Sequence, residues 1–411
     1  MRIDRLANSG EGVASHDGRA VFVEGAFPEE TVVVEVTPGK VQRGAVVELV
    51  EPHPARREPP CALASTCGGC DWLAVDEAAQ LRFKEAMVVS TLAHAGGIAS
   101  EGYTLLPAVG GQPGLGVRRR ATLHPVGREL GFFGRRSHLR VPVSSCPALT
   151  PPAQSLPSLL ASALGTSLKD IEEVRILESD ARLAVSVHTT SAPRPKLRES
   201  LQKLVDERLL ASAIIVPPDA NAHSEVMGAA ALEEEGVFLR PDAFTQAHQA
   251  LNRQLVAHAV DVLEVEKKHT VLELYSGNGN FTFPLAARAA EVLAVESSPV
   301  SVALAQRGAR RFSNVRLMQI DAEAAMKGLM RESKRFDRLF VDPPRAGCPP
   351  IADWASRLLV ERVVYVACDP TSLARDAKRL AAAGFRPESL RVFDLFPQTH
   401  HVEAVMSFAR G

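Results

Sequence analysis

The chain has 411 residues, of which 46% are hydrophobic and 23% are charged, and its formal net charge is −1 at pH 7. This length exceeds a single ordinary core, so two or three domains of a soluble globular protein are expected. The near-zero charge excludes nucleic-acid binding driven by overall charge, and the lack of long apolar stretches excludes a membrane-spanning protein. The charged first twenty residues lack the apolar core of a secretory signal, which predicts a cytoplasmic protein.

Residues 1–52 are predicted to form a small β-barrel domain. Short apolar strands such as GRAVFVEGA, TVVVEVTPGK and GAVVELVEP are separated by glycines and prolines at intervals typical of such barrels. A charged, proline-rich linker from Pro52 to Pro60 then leads into a group of cysteines.

The cysteine spacing indicates a metal site. Cys61, Cys67 and Cys70 form a C-x5-C-x2-C pattern, and Cys146 follows in SSCPAL. Disulfides are disfavoured in a reducing cytoplasm, and four thiols make a site for a soft metal. Gly68 and Gly69 allow the loop to wrap tightly around it. On spacing alone, zinc and an iron–sulfur cluster remain equally suitable.

Residues 53–237 are predicted to form a central α+β domain. It begins with the helix DEAAQLRFKEAMVVSTLAHAGG, which Gly96 and Gly97 end, and continues with alternating strands and helices. Between Arg118 and Arg140 seven arginines face a single acid, Glu129, with apolar runs such as GFF between them. This pattern favours a basic patch that contacts phosphates, although a solvated basic face has the same composition.

Residues 238–411 are predicted to form a doubly wound α/β domain. A helix over FTQAHQALNRQLVAHAVDVL is followed by alternating apolar strands and helices, and the chain finishes with two strands. Such alternation is typical of a parallel sheet that binds its ligand at the carboxyl ends of the strands. Polar side chains gather at these ends: Tyr275 to Asn280, Glu296, Asp321, Asp342 to Arg345, and Cys368 with Asp369.

The stretch VLELYSGNGNFTFPLA predicts a strand, a glycine turn and a helix. Gly277 and Gly279 lack a Cβ where a ligand approaches the backbone, and a helix N-terminus offers unpaired N–H groups. Glu296, at the end of the next strand, is placed to receive the hydroxyl groups of a ribose. A nucleoside-containing cofactor is therefore expected.

Two further strand ends carry chemistry. The DPPR segment sets the Asp342 carboxylate and the Arg345 guanidinium beside a rigid corner suited to a flat polar substrate. Cys368, in VACDP, precedes a predicted helix whose dipole is expected to lower the thiol pKa, as in a nucleophile. An NAD-dependent dehydrogenase is disfavoured, because hydride transfer needs no DPPR segment and the third glycine of the dinucleotide motif is absent.

These motifs together resemble the class I S-adenosylmethionine-dependent RNA 5-methyluridine methyltransferases, and within them the iron–sulfur branch that modifies 23S ribosomal RNA. The resemblance covers nearly the whole chain. Its motifs are GEGVAS and GRAVFVEGA of a TRAM-like barrel, CGGCDW, QLRFKE, VRRRA, GFFGRRSH and CPAL, then FTQ, LELYSGNGNFTFPLA, VDPPRAG, ACDP and FPQTHHVE.

The resemblance implies a role for each matching position. Cys368 would be the nucleophile and Glu403 the base. The S-adenosylmethionine contacts would be Gln246, Tyr275, Gly277, Asn280, Glu296 and Asp342, with Asp321 near the adenine. A [4Fe–4S] cluster held by Cys61, Cys67, Cys70 and Cys146 would serve structure or RNA docking. A monomer that binds 23S ribosomal RNA, and no membrane, is the expected form.

The implied chemistry is consistent with these residue types. C5 of uracil is a poor nucleophile until a thiolate adds to C6, and a carboxylate must later remove the C5 hydrogen. Two positions depart from the family pattern: Asp369 and His248 each stand where asparagine is usual. Transfer RNA as substrate, and an RNA-binding assembly factor without catalysis, are the alternatives.

Overall fold

The computed structural model describes residues 1–37, 39–111, 113–219 and 222–411. The described chain forms two compact units: the first comprises Met1–Ala64, Cys70–Gln112 and Val341–Gly411, and the second comprises Ser65–Gly69 and Pro113–Phe340. The boundaries of these two units differ from those of the three domains expected from the sequence. The three domain boundaries stay predictions. The predicted strand TVVVEVTPGK includes Pro38, which lies outside the described residues.

The amino-terminal part of the first unit is a small antiparallel and parallel sheet beside a helix. Its strands pair in the order β1-β2-β3-β5-β4, and Ala14, Val21, Val23 and Val32 are buried within it. An isolated bridge joins Arg2 to Thr31, but the described ladders do not form a closed barrel. The elements are β1 (Arg5–Leu6), β2 (Gly12–His16), β3 (Arg19–Glu24), β4 (Thr31–Thr37), β5 (Gln42–Glu51), α1 (Glu77–Thr91) and β6 (Thr104–Leu105).

The second unit opens with a seven-stranded sheet of order β13-β12-β11-β10-β7-β8-β9 and a separate hairpin, β14-β15. The elements are β7 (Arg120–Val126), β8 (Glu129–Phe133), β9 (Arg140–Pro142), α2 (Leu156–Leu164), β10 (Ile171–Ser179), β11 (Arg182–Thr189), α3 (Pro195–Asp206), β12 (Ser212–Val216), β13 (Glu225–Gly228), β14 (Leu232–Glu234) and β15 (Val237–Leu239). Leucines spaced three or four residues apart on α2 and α3 give each helix one apolar face, which packs into the same core as the sheet.

The carboxyl-terminal elements alternate as the sequence predicts. They are α4 (Gln249–Val262), β16 (Thr270–Leu274), α5 (Thr282–Ala286), β17 (Glu291–Glu296), α6 (Pro299–Ala309), β18 (Val315–Gln319), α7 (Ala322–Arg331), β19 (Arg338–Val341), α8 (Ile351–Arg357), β20 (Arg362–Ala367), α9 (Pro370–Ala382), β21 (Phe385–Phe393) and β22 (Glu403–Arg410). In the second unit β16, β17 and β18 pair in parallel. In the first unit β22 is antiparallel to β20 and β21, and β6 runs parallel to β21.

The helix predicted to begin at Phe244 begins five residues later, with His248 as its N-cap. The segment before it is held in a non-helical conformation by backbone acceptors: Arg119 donates to the carbonyls of Gln246 and Ala247, and Arg120 donates to that of Thr245. These hydrogen bonds use carbonyl groups that a helix would need for itself, so tertiary contacts override the helical pattern here.

None of the helices in the described part of the chain is long and apolar enough to cross a membrane.

Candidate active site

The glycine turn after β16 has the backbone that its sequence predicts. Tyr275, Gly277 and Gly279 all have positive φ, at 64°, 57° and 98°. A Cβ added at Gly279 would lie 2.5 Å from the Phe283 ring, whereas one at Gly277 would meet no described atom within 4 Å. The left-handed Tyr275 is strained, a feature common at ligand sites, and Gly277 leaves its backbone open to a ligand. The following helix, α5, has only five residues, so the N–H argument from a helix terminus does not apply.

Glu296 lies beside this turn, as predicted. Its Oε2 accepts a hydrogen bond from the Gly277 N–H at 2.9 Å, and its Oε1 accepts one from the Ser298 N–H at 2.7 Å. These bonds fix the carboxylate at the end of β17. Asp321 is exposed and caps α7, where its Oδ1 accepts from the Ala324 N–H at 2.9 Å.

Asn280 has a structural contact that the sequence did not indicate. It exchanges two hydrogen bonds with Asn252 of α4, at 2.9 Å and 3.1 Å. The pair ties α4 to the glycine turn. The predicted cofactor contact of Asn280 stays a prediction.

Three buried polar atoms of the second unit are suited to a polar ligand, and two of them lie in the turn or at the start of the helix that follows it. Gln246 Oε1, Ser276 Oγ and Thr282 Oγ1 have no hydrogen-bond partner in the described part of the chain. Burying such atoms without a partner is costly, and a polar small molecule offsets the cost by pairing with them. These three polar atoms and the open backbone at Gly277 fit a nucleoside-containing cofactor.

The first unit carries the two predicted catalytic side chains. β20 and β22 are antiparallel, and their register pairs Ala367 with Ala404. Cys368 directly follows β20, and Glu403 is the first residue of β22, one position before Ala404. Continuing the same register by one residue opposes Cys368 to Glu403, and the Glu403 carboxylate lies close enough to raise the pKa of the thiol. Glu403 is 3% exposed, and its Oε2 has no hydrogen-bond partner among the described residues.

The Cys368 thiol is held in its neutral form. Burial raises its pKa, and the nearby carboxylates of Glu403 and Asp342 raise it further, to about 12, against the opposing charge of Arg345. Asp369 adds the smallest contribution in the same direction. The expectation of a lowered thiol pKa is therefore wrong, because burial and the neighbouring carboxylates raise it.

The two carboxylates nearby have raised pKa values as well. Although the Asp342 side chain keeps partial contact with solvent, burial among protein atoms raises its pKa to about 7. Burial is also the main reason why the pKa of Glu403 lies well above its usual range; Asp342 raises it further and Arg345 lowers it. With a pKa of about 7, Asp342 is able to exchange a proton near neutral pH.

Both departures from the family pattern are N-cap residues. Asp369 Oδ1 accepts a hydrogen bond from the Ser372 N–H at 2.7 Å and so caps α9. His248 Nδ1 accepts from the Leu251 N–H at 3.3 Å and caps α4. Aspartate caps a helix as well as asparagine does, and the imidazole nitrogen supplies an equivalent acceptor. The substitutions therefore preserve the local structure.

A buried network that the sequence did not reveal holds the loop before Glu403. Gln398, fully buried with φ at 69°, donates through its backbone N–H to Gln80 at 2.9 Å and through its side chain to Glu77 at 2.7 Å. Arg57 donates to both oxygens of Glu77 and to Gln398 Oε1 at 3.2 Å. Glu77 and Gln80 are polar residues three positions apart on α1, a pattern that is typical of a solvent-exposed helix face. Only the tertiary packing shows that this face of α1 is buried.

The same loop has two histidines. His400 Nδ1 lies 2.5 Å from Asp71 Oδ2, and the hydrogen bond and charge of His400 lower the pKa of Asp71 even though burial opposes this. Burial lowers the pKa of His401 to about 4, with further lowering from the charges of His400 and Arg345. His401 is therefore neutral at pH 7, and Arg345 lies 3.4 Å from its ring nitrogens.

The DPPR segment is held by a second buried group. The buried Asp376 of α9 accepts hydrogen bonds from the Cys348 N–H at 2.7 Å and from the Tyr365 hydroxyl at 2.9 Å. Arg375, beside it, donates to the Ala346 carbonyl at 2.7 Å. Cys348 thus belongs to the scaffold of the site.

The four predicted metal ligands form no disulfide, and all are partly exposed. Within the second unit, Cys67 lies close enough to Cys146 to raise its thiol pKa, although burial is the larger cause. The Gly69 N–H lies 3.4 Å from Cys67 Sγ, a contact that stabilises a thiolate. Among the described residues no group of three or more His, Cys, Asp or Glu side chains is arranged to hold a metal ion.

The raised thiol pKa predicts how Cys368 reacts with an alkylating reagent. We expect slow labelling by iodoacetamide near pH 7, with a rate that rises about tenfold per pH unit as the pH approaches the thiol pKa of about 12. Glu403→Gln removes a negative charge and is expected to shift the profile to lower pH, whereas Arg345→Gln shifts it to higher pH. Mass spectrometry of the Cys368 peptide measures the rate. A wild-type profile that levels off below about pH 8 would contradict the assignment.

Comparison with known proteins places this geometry in a family. A profile described as tRNA (Uracil-5-)-methyltransferase matches residues 235–410. The 23S rRNA (uracil(1939)-C(5))-methyltransferase RlmD of Pectobacterium atrosepticum is 32% identical and the alignment covers 97% of this chain and 91% of that protein. For the protein of the same name from Vibrio cholerae the identity is also 32%, over 100% of this chain and 95% of the other.

The fold has a relative among solved structures. The Pyrococcus abyssi tRNA (uracil-54, C5)-methyltransferase in complex with S-adenosyl-L-homocysteine is 22% identical, with a TM-score of 0.74 over 100% of both chains. The likeness shows that the chain has the mixed α/β fold of class I S-adenosylmethionine-dependent methyltransferases. The full-length matches show more: the chain belongs to the family of RNA uracil-5-methyltransferases. A methyltransferase that acts on C5 of uracil is therefore its enzyme class.

Proposed function

We propose that this chain methylates C5 of a uridine in 23S ribosomal RNA, with Cys368 as the nucleophile and Glu403 as the base. One observation carries the proposal: the pairing of β20 with β22 brings the partly buried Cys368 thiol beside the buried Glu403 carboxylate, whose Oε2 has no hydrogen-bond partner among the described residues. Both residues stand at the matching motif positions of a chain that belongs to the family. The choice of 23S ribosomal RNA follows the names of the relatives that match the full chain.

The reaction begins with the thiol. Cys368 loses its proton and its sulfur forms a bond to C6 of uracil, which makes C5 an electron-rich, enolate-like carbon. Asp342, with a pKa of about 7, is the neighbouring carboxylate suited to take the thiol proton, and Glu403 acts as the base in the later step. Arg345 stabilises the thiolate before it adds.

S-adenosylmethionine supplies an electrophilic methyl group, which C5 accepts. C5 then bears both a methyl group and a hydrogen. Glu403 removes this hydrogen as a proton, the C5–C6 double bond re-forms, and the Cys368 sulfur leaves C6. The thiolate returns to a thiol by regaining a proton from Asp342, and Glu403 releases the proton taken from C5 to solvent. Each cycle thus replaces one C5 hydrogen by a methyl group and releases one proton.

The residues that would hold the cofactor are those around the glycine turn. Glu296 and the open backbone at Gly277 suit a ribose. Tyr275 and Ser276 belong to the same turn. Gln246, assigned by its motif, adds a buried Oε1 that has no hydrogen-bond partner among the described residues. Asn280 and Asp321 are the remaining proposed cofactor contacts, and Asp321 is assigned to the adenine of the cofactor. Asp342 has two proposed roles. Its motif position assigns it to contact with the cofactor, and its raised pKa suits it to proton transfer.

We further propose that Cys61, Cys67, Cys70 and Cys146 hold a [4Fe–4S] cluster, with zinc as the alternative occupant. Four partly exposed cysteines outside any disulfide, and an N–H group directed at Cys67 Sγ, support thiolate ligation. No catalytic step depends on this group. We also propose that residues 1–52 act as a TRAM-like domain and that the chain has the three domains expected from the sequence.

One experiment tests the substrate and the catalytic role together. The full chain, purified without oxygen and assayed for iron, sulfide and zinc, is incubated with labelled S-adenosylmethionine and either 23S ribosomal RNA or transfer RNA transcripts. We expect 5-methyluridine in the ribosomal RNA alone. If the label appears in transfer RNA alone, transfer RNA and not 23S ribosomal RNA is the substrate. If the chain binds RNA but transfers no methyl group to either RNA, an RNA-binding assembly factor is favoured.

A further inference from the structure

An exposed group of aromatic and basic side chains lies at the edge of the seven-stranded sheet, outside the catalytic site. We name it the Phe133 patch. Phe133 is 41% exposed and Leu139 is 76% exposed, which is unusual for side chains of this size on a folded domain. The patch comprises Phe133, His124, Arg136, His138, Leu139 and Arg140 on and between β7, β8 and β9.

The strand geometry explains why Phe133 faces outward. Side chains alternate along β8, so Phe132 packs against the core while its neighbour faces the other side. His124 pairs with Gly131, where a Cβ would lie 1.9 Å from the Val141 carbonyl oxygen, so only glycine fits there. With no side chain opposite, the imidazole of His124 has room to lie against the Phe133 ring.

Two imidazoles support the phenylalanine without covering it. The ring centroids of His124 and Phe133 are 4.4 Å apart with a 38° interplanar angle, and His138 meets the Phe133 ring edge-on at 6.3 Å. A ring held by neighbours loses little conformational entropy when a flat ligand stacks on it. The patch is therefore a preorganised stacking surface.

The surrounding charge identifies the kind of ligand. Arg140 lies directly opposite Phe133 in the β8–β9 ladder and donates to the Pro125 carbonyl at 2.8 Å, which fixes its position at the patch. Arg136 is also exposed nearby, with Glu129 the nearest acid in the sequence. A protein partner with an apolar interface does not require this basic rim, and an RNA duplex does not offer a free base face. Unpaired RNA offers both a base to stack and phosphates to pair.

The loop that contains Cys67 supports the patch. The Gly68 N–H donates to the Phe133 carbonyl at 2.9 Å, and the Arg135 N–H donates to the Thr66 carbonyl at 3.0 Å. A Cβ at Gly68 would lie 2.9 Å from the Gly134 carbonyl oxygen, so glycine is needed for this approach. The end of β8 is thus fixed by backbone contacts on both sides of the exposed ring.

We infer that the Phe133 patch stacks an unpaired base of the RNA substrate while its arginines hold the adjoining phosphates. The inference rests on the proposed action on RNA and adds a recognition site separate from the catalytic residues. The contact binds substrate rather than the transition state, so the patch contributes to RNA affinity and not to the chemical step.

The test measures binding of a short, fluorescent single-stranded RNA oligonucleotide to the full chain at several salt concentrations. Phe133→Ala is expected to weaken binding at least about 5-fold, the lower range for loss of one base–aromatic stack, while Phe133→Tyr retains it. Arg140→Gln is expected to reduce the slope of log affinity against log salt by about 0.7, and Phe133→Ala leaves that slope unchanged. Leu209→Ala, at a side chain 43% exposed elsewhere in the second unit, is the matched control and is expected to bind normally.

Methyl-transfer kinetics separate this inference from the proposed function. Phe133→Ala is expected to raise KM for RNA with kcat unchanged. If the wild type binds and methylates RNA while Phe133→Ala does so with equal affinity, the stacking inference fails and the proposed function stands. If Phe133→Ala changes self-association or protein binding instead of RNA affinity, the patch is a protein interface. If the wild type neither binds nor methylates RNA, the proposed function fails first.

Discussion

Replacing Cys368 by alanine is expected to reduce methyl transfer to background, because no other described thiol lies beside Glu403 to add to C6 of uracil. RNA that contains 5-fluorouridine gives the sharper measurement. Fluorine at C5 cannot be removed as a proton, so the wild type is expected to form a covalent RNA adduct in the presence of S-adenosylmethionine. The adduct is seen as a slower band under denaturing electrophoresis, and Cys368→Ala is expected not to form it.

Two variants control for loss of folding. Cys348→Ala removes the buried thiol of the scaffold, and Asp369→Asn restores the residue that is usual in the family while keeping an N-cap. Asp369→Asn is expected to form the adduct at least as fast as the wild type, since removing its charge lowers the thiol pKa slightly. An adduct that persists in Cys368→Ala would assign the nucleophile to another residue.

Replacing Glu403 by glutamine is expected to slow turnover by about 10²-fold to 10⁴-fold, the range for loss of a general base. The reason is specific to the last step. Thiolate addition and methylation of C5 still take place, but the C5 hydrogen is not removed and the sulfur remains bonded to C6. A covalent adduct is therefore expected to accumulate with ordinary, unfluorinated RNA, where the wild type shows little.

Glu388→Gln is the control for this variant, since Glu388 lies on the neighbouring strand β21 and pairs with Arg362. It is expected to turn over normally and to accumulate no adduct. If Glu403→Gln lowers activity without accumulating an adduct, Glu403 acts before or during addition of the thiol, and the base in the last step is a different group.

The sequence predicted much of the architecture because local pattern and tertiary fold agree in the carboxyl-terminal half. Apolar strands alternate with amphipathic helices from β16 to α9, and glycines stand where the turn after β16 needs positive φ. The start of α4 was predicted five residues early because Arg119 and Arg120 bind carbonyl groups of the preceding segment. That interaction connects distant parts of the sequence, so no local pattern reveals it.

The candidate site shows the same division. The β20–β22 register that sets Cys368 against Glu403 follows from two strands that the sequence already indicated. The thiol pKa does not follow, because burial and the charges of Glu403 and Asp342 raise it, whereas the sequence suggested a lowered value. The inward face of α1 was hidden for a similar reason, since Gln80 and Lys84 have the composition of a solvent-exposed stripe although both are fully buried.

By itself, the sequence determined the order of strands and helices, the glycine turn, and the motif positions of the thiol and the carboxylate, because these depend on periodicity and residue type along the chain. The tertiary structure alone decided which charges surround Cys368, which residues brace the loop before Glu403, and that Phe133 stays exposed beside His124 and Arg140. These features depend on desolvation and on contacts between residues far apart in sequence, and both arise only when the chain is packed.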